Sequence, residues 1–127
     1  MRTYGNTDVR DRIEVAHRDG IWLTVEELPD DSPIEGNAMA SGDDAVDRRA
    51  EQYVRDSLAA GNQWAWCTVR IAAEHIDSGV VGESFLGACS YDSEEDFMQV
   101  NGNAPDMIDE AVEQCKMTLH THKREAR

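Results

Sequence analysis

Asp106, Asp109, Glu110 and Glu113 stand at i, i+3, i+4 and i+7. On a helix that spacing puts four carboxylates on one face. Just upstream, Asp92, Glu94, Glu95 and Asp96 crowd together between Tyr91 and Phe97. Carboxylates arrayed on a surface accept hydrogen bonds from guanidinium and ammonium groups, so they can occupy Arg and Lys sites otherwise used by phosphates. The chemistry expected of these eight residues is binding to a basic protein surface, not catalysis. The 91–97 segment admits two readings at once. Ser93, with Asp96 three residues on, resembles a capping box that starts a short helical turn over 94–100, with Phe97 in the core. Two aromatics flanked by acids also suit an interface anchor.

Other site chemistries fit the sequence less well. Cys67, His75, Cys89 and Cys115 contain no C-x-x-C and no H-x₃₋₅-H, so no metal site is expected. The acidic run lacks the alternating acids, central Gly and terminal Glu of a calcium loop. Cys67 and His75 fall on one strand face but eight residues apart, too far to touch at ~3.3 Å per residue. No G-x-S-x-G, phosphate-binding loop or dinucleotide fingerprint is present. The expectation is a protein with no catalytic residues and no cofactor.

The 26 acidic and 12 basic residues give a net charge of -14. Free nucleic acid and anionic membranes would repel such a chain, and a basic protein surface is its complement. The charge is also unevenly laid out. Nine acids and no Lys or Arg lie between Arg18 and Arg48, and eleven acids and again no Lys or Arg lie between Arg70 and Lys116. Like charges so concentrated destabilise a compact state, which makes an acidic face the sharper reading and a merely solvated surface the plainer one. Ten Arg against two Lys also fits a saline host or a GC-rich genome. The start, MRTYGNTDVRDR, has no apolar signal region, no 18-residue apolar run occurs, and three cysteines are an odd number. These point to reduced thiols in a cytoplasmic protein.

The elements that must position these residues follow from periodicity. At 127 residues a single domain over 1–127 is expected. Residues 12–18 alternate, Asp19-Gly20 is a hairpin turn signal, and IWLTVEE follows, so 1–27 reads as an N-terminal hairpin. Residues 28–42 are a Pro- and Gly-containing loop. Residues 43–60 form a helix with Val46, Ala50, Tyr53, Val54, Ser57 and Leu58 on its stripe and Gly61 at its stop. Residues 64–91 form a second hairpin, with Cys67, Val69, Ile71 and Ala73 on one face and Trp64, Trp66, Thr68 and Arg70 on the other. Gly87 suggests a bulge or a close backbone approach. Residues 93–122 are helical, with Pro105 in the first turn and Ile108, Ala111, Val112, Cys115 and Leu119 as the apolar stripe; acids lead and Lys116, Lys123 and Arg124 follow. The order is β-β-α-β-β-α. The expected class is α+β, an antiparallel sheet of two hairpins with two main helices on one face.

Trp64-Ala65-Trp66-Cys67, Phe85-Leu86-Gly87-Ala88-Cys89-Ser90-Tyr91 and the acidic run to Phe97 resemble small bacteriophage-encoded proteins of unknown function, over about residues 62–120. Small acidic phage proteins as a class include anti-CRISPR and anti-restriction inhibitors of host defence, several of which are similar to DNA in charge. The resemblance implies a non-enzymatic inhibitor in the host cytoplasm that binds a basic nucleic-acid-binding complex, without contacting nucleic acid or membrane directly. No residue roles come with it. The alternative is an oligomeric structural or adaptor protein, with a homodimer formed through the Trp-bearing strand or the last helix and acidity that only solubilises.

Overall fold

A computed structural model of the chain describes residues 7–99 and 102–125. It is α+β, a three-stranded antiparallel sheet with four helices. In chain order these are α1 (Thr7–Arg18), β1 (Ile21–Pro29), α2 (Asp44–Ala59), β2 (Cys67–His75), β3 (Val80–Cys89), α3 (Glu94–Phe97) and α4 (Ala104–Glu125), with one 3-10 turn at Gln63–Ala65 before β2. The sheet order is β1-β2-β3.

The fourth strand expected at 12–18 is instead part of α1, so the first hairpin and the β-β-α-β-β-α order are corrected. Val9, Ile13 and Ala16 are the buried residues of this segment. They stand at i, i+4 and i+7, the spacing of a helical stripe. Val15, which an alternating strand would bury beside Ile13, is 51% exposed. The Asp19-Gly20 signal ends a helix here. Asp19 N–H donates to the Ala16 carbonyl and Gly20 N–H to the His17 carbonyl, both at 3.0 Å. Gly20 sits at φ +77°, the left-handed backbone that helix ends and hairpin turns both demand. The second hairpin, the 43–60 helix and the final helix form where expected, within a few residues. The 94–100 turn is α3, and residue 100 lies outside the described residues, as do residues 1–6 of the expected hairpin and the side chains of His122, Lys123 and Arg124.

By its contacts the chain divides into two compact units. Among the described residues the first comprises 7–26, 70–85, 97–99 and 102–125. Its core is built from Val9, Ile21, Ile71, Phe97, Ile108 and Cys115, all nearly or fully buried. Here α1 packs on α4. Helix α4 also lies directly on β3 at Gly82, where an added Cβ would stand 2.2 Å from the Ala111 carbonyl oxygen and 2.4 Å from the Cys115 nitrogen. Across the sheet, Arg70 on β2 pairs with Glu26 on β1 through Nη1 and with Glu83 on β3 through Nε. Both carboxylates hold its guanidinium above its ordinary value, Glu83 more strongly.

The second unit comprises residues 27–69 and 86–96. Asp43 caps α2, accepting from the N–H groups of Ala45 and Val46. The helix closes at Gly61, where Asn62 N–H reaches the Ser57 carbonyl at 3.0 Å. Glu51 turns inward from α2, only 6% exposed, and accepts the Gly36 N–H at 3.0 Å, which anchors the 30–43 loop. Trp66 is buried, and its indole N–H donates to the Ser32 carbonyl at 2.9 Å. The core face of β2 expected from alternation is observed: Cys67, Val69, Ile71 and Ala73 are all buried.

Candidate partner-binding surface

Asp106, Asp109, Glu110 and Glu113 of α4 are all exposed. The helix forms because Ile108, Ala111 and Cys115 supply a buried stripe, while Asp106 lies in the first turn, where the helix dipole favours an anion. That stripe fixes the rotation of the helix and turns the carboxylates to solvent. They are not equivalent. Asp109 is tied to Arg12 of α1 in an ion pair. Its carboxylate holds the Arg12 guanidinium above its ordinary value, with Asp8 adding to the effect against desolvation. The carboxylates of Asp106, Glu110 and Glu113 make no hydrogen bond or ion pair among the described residues. One turn on, Lys116 pairs with Asp19 at 2.9 Å. Between these two clips an open groove of about 670 Å³ has Val15, Ala16, Ile108 and Val112 as its apolar floor and Asp11 and Glu113 on its rim.

The 92–96 row is largely turned to local structure. Asp92 Oδ1 accepts the Tyr53 hydroxyl at 2.8 Å, which raises the Tyr53 phenol above its ordinary value. The Asp92 N–H donates to Asp96 Oδ2 at 3.0 Å, and the Asp96 N–H donates to Ser93 Oγ at 3.1 Å. This is the capped start, with the return hydrogen bond going to Asp92 and not to the cap residue itself. Glu95 is exposed and Glu94 half-buried. Phe97 is 0% exposed and anchors the core. The two acidic rows belong to different units, 92–96 to the second and 106–113 to the first, and each stands as a surface feature of its own unit.

Several acids serve the fold itself. Asp30 is the clearest. Its Oδ2 accepts from the Ala88 N–H and the Thr68 hydroxyl, and its Oδ1 from the Ser32 N–H, each at 2.7 Å. Gly87 makes room for this, because a Cβ there would sit 3.3 Å from Asp30 Oδ2. The close approach expected at Gly87 is therefore present. These donors, Ala88 first and Thr68 next, hold the Asp30 carboxyl well below the usual carboxylate range. A lowered folded-state value means that the stabilisation is complete above the unfolded group's titration near pH ~4 and is lost as pH falls through the lower folded value. Asp30→Asn replaces one acceptor oxygen by a donor facing donors. It is expected to cost about 2 kcal/mol at neutral pH and to flatten the acid limb below pH ~4, measured by urea unfolding across a pH series. An unchanged acid limb would remove Asp30 from that role. The signal in the sequence was the Asp30-x-Ser32 spacing of an Asx turn. For Glu51 it was its place on the stripe of Val54 and Leu58.

Cys67, Cys89 and Cys115 are free and buried. Burial, with lesser contributions from Cys89 and nearby carboxylates, pushes the Cys67 thiol up to about 12, which keeps it a protonated thiol at neutral pH. Among the described residues no group of three or more His, Cys, Asp or Glu is placed to hold a metal ion, and no helix is long and apolar enough to cross a membrane. Comparison with protein-family models, curated proteins and solved structures finds no match.

Proposed function

We propose that this protein is a non-enzymatic acidic inhibitor. It binds a basic nucleic-acid-binding surface of a host-defence complex in the anti-CRISPR manner, its carboxylates taking the place of backbone phosphates. The observation that supports this reading is the α4 face: Asp106, Glu110 and Glu113 are exposed on one rigid helix and carry no partner among the described residues. At 1.5 Å rise per residue the three span about 10 Å, a length over which several Arg or Lys side chains can engage them. Asp92, Glu94, Glu95, Asp96 and Asp109 add to the negative field around the protein, but Asp92, Asp96 and Asp109 already serve internal contacts.

The test is competition with labelled target DNA for a guide-loaded CRISPR effector. The wild-type protein is expected to displace DNA, with a steep loss between 50 and 200 mM salt. The triple variant Asp106→Asn, Glu110→Lys, Glu113→Lys, which puts no cation in the first turn, is expected to lose at least tenfold in competition while keeping its melting temperature within a few degrees. A folded triple variant that competes as well as wild type would sink the reading.

A second reading, self-association, is favoured by a different observation. Trp22 and Phe85 are 54% and 56% exposed, and Val81 is also exposed. Strand alternation puts them on the sheet face that carries the Arg70 ion triad. The strand that begins after Trp64 and Trp66 is not the one that presents a tryptophan: Trp66 is in the core, and the exposed indole is Trp22 on β1. Light scattering of Trp22→Ala against wild type separates a dimer held by this face from a monomer.

A further inference from the structure

The second unit holds a cavity of about 470 Å³. Its apolar walls come from Leu28, Pro29, Ile34, Leu58 and Trp66. The volume falls within the range of small-molecule sites, about 300–1,000 Å³. Two features of its chemistry are fixed. The indole of Trp66 cannot turn to offer its N–H, because that group is bonded to the Ser32 carbonyl, and what it contributes is ring surface. Asp30 also lines the cavity, but its oxygens are committed to Ser32, Thr68 and Ala88. Glu27 lines it too, and its carboxylate has no hydrogen bond or ion pair among the described residues. No Lys or Arg lies along the cavity. Ser32 and Gln63 complete the lining as neutral polar groups. A partly open, mainly apolar cleft with an indole wall, one unpartnered carboxylate and no cation complements a positive charge on an apolar body.

We infer that this cavity binds a small organic ammonium ion, its apolar body between Leu58, Ile34 and the Trp66 ring and its charged nitrogen at Glu27. The inference is independent of the α4 surface. A cavity of this volume suits a whole small amine with an aromatic or branched body.

The probe is phenethylammonium, compared with 2-phenylethanol, phenylacetate and a capped Gly-Lys-Gly peptide. Binding is read from the Trp66 indole N–H resonance in ¹⁵N-labelled protein and by calorimetry. Phenethylammonium is expected to shift that resonance saturably, and phenylacetate to leave it unmoved. The alcohol is expected to bind at least fivefold more weakly than the amine, and Glu27→Gln to remove that difference while the melting temperature is kept. A second variant, Leu58→Trp, narrows the chamber from its wall and is expected to abolish the shift without touching the charge. Equal binding of amine and alcohol to the wild type, or no shift with the amine, would overturn the proposal. Tighter binding of the lysine peptide than of the amine would overturn it in favour of a partner's side chain as the occupant.

Discussion

Gly82→Ala is expected to destabilise the protein by about 4 kcal/mol or more, the range reserved for the most disruptive single substitutions. The added carbon would stand 2.2 Å from the Ala111 carbonyl oxygen and 2.4 Å from the Cys115 nitrogen, both backbone atoms of α4. A flexible side chain could swing aside from such a clash. A helix backbone can yield only by moving as a body, and moving α4 opens the packing of Ile108, Ala111 and Cys115, which are at most 1% exposed. Gly36→Ala is the control. It forces a side chain into left-handed backbone, at φ +79°, a strain that Gly82→Ala does not carry, but nothing lies within 4 Å of its Cβ, so a loss of about 1–2 kcal/mol is expected. Urea denaturation of the pair checks this. Similar midpoints for the two variants would mean that α4 does not press on β3 as described.

Phe97→Ala is the second large effect. Phe97 is the largest fully buried side chain among the described residues, and truncating a buried Phe costs about 3–5 kcal/mol through lost transfer energy and the cavity left behind. For a domain of this size that is a fall in melting temperature of roughly 15 °C. The substitution also separates the two roles open to the 91–97 segment. Phe97→Leu keeps most of the volume and is expected to fold. If Phe97 is purely a core residue, the folded Leu variant competes for the partner as wild type does. A folded Phe97→Leu variant that has lost competition would return the residue to the interface.

The sequence was most legible where periodicity ran long. Helix α4 shows five apolar residues at helical spacing, with acids leading and a lysine trailing, and the pattern has no rival period. The β2–β3 hairpin was legible because β-branched and aromatic residues cluster around a Gly-containing turn. The segment 12–18 was misread because only Ile13 and Val15 are strongly apolar within it. Two residues at i and i+2 suit a strand, and only extension back to Val9 shows the helical stripe. Asp-Gly then reinforced the error, since a left-handed glycine serves a helix end as well as a hairpin.

The acidic face of α4 was likewise legible, because i, i+3, i+4, i+7 is a local pattern. Which of its members stay available was not. Asp109 is neutralised by a guanidinium 97 residues away, and Tyr53 reaches Asp92 across 39. Such pairings depend on the tertiary arrangement, to which charge counts are blind. Among the described residues three cations, Arg12, Arg70 and Lys116, hold five carboxylates. In a chain with so few basic residues, the placement of each one decides which acids are left for a partner.

Arg70 shows how far one such placement reaches. It lies on the middle strand and holds a carboxylate on each neighbour. Side chains alternate along a strand, so a slip of one residue would turn Arg70 toward the helices and swap Val69 or Ile71 out to water. The guanidinium would then be buried without its partners, and Glu26 and Glu83 would lose their shared cation. A lysine at this position offers one compact charge in place of a forked donor and would serve one neighbour at a time. The triad thus favours the observed register over its one-residue slips, and it does so with charge, the one property this chain has in surplus.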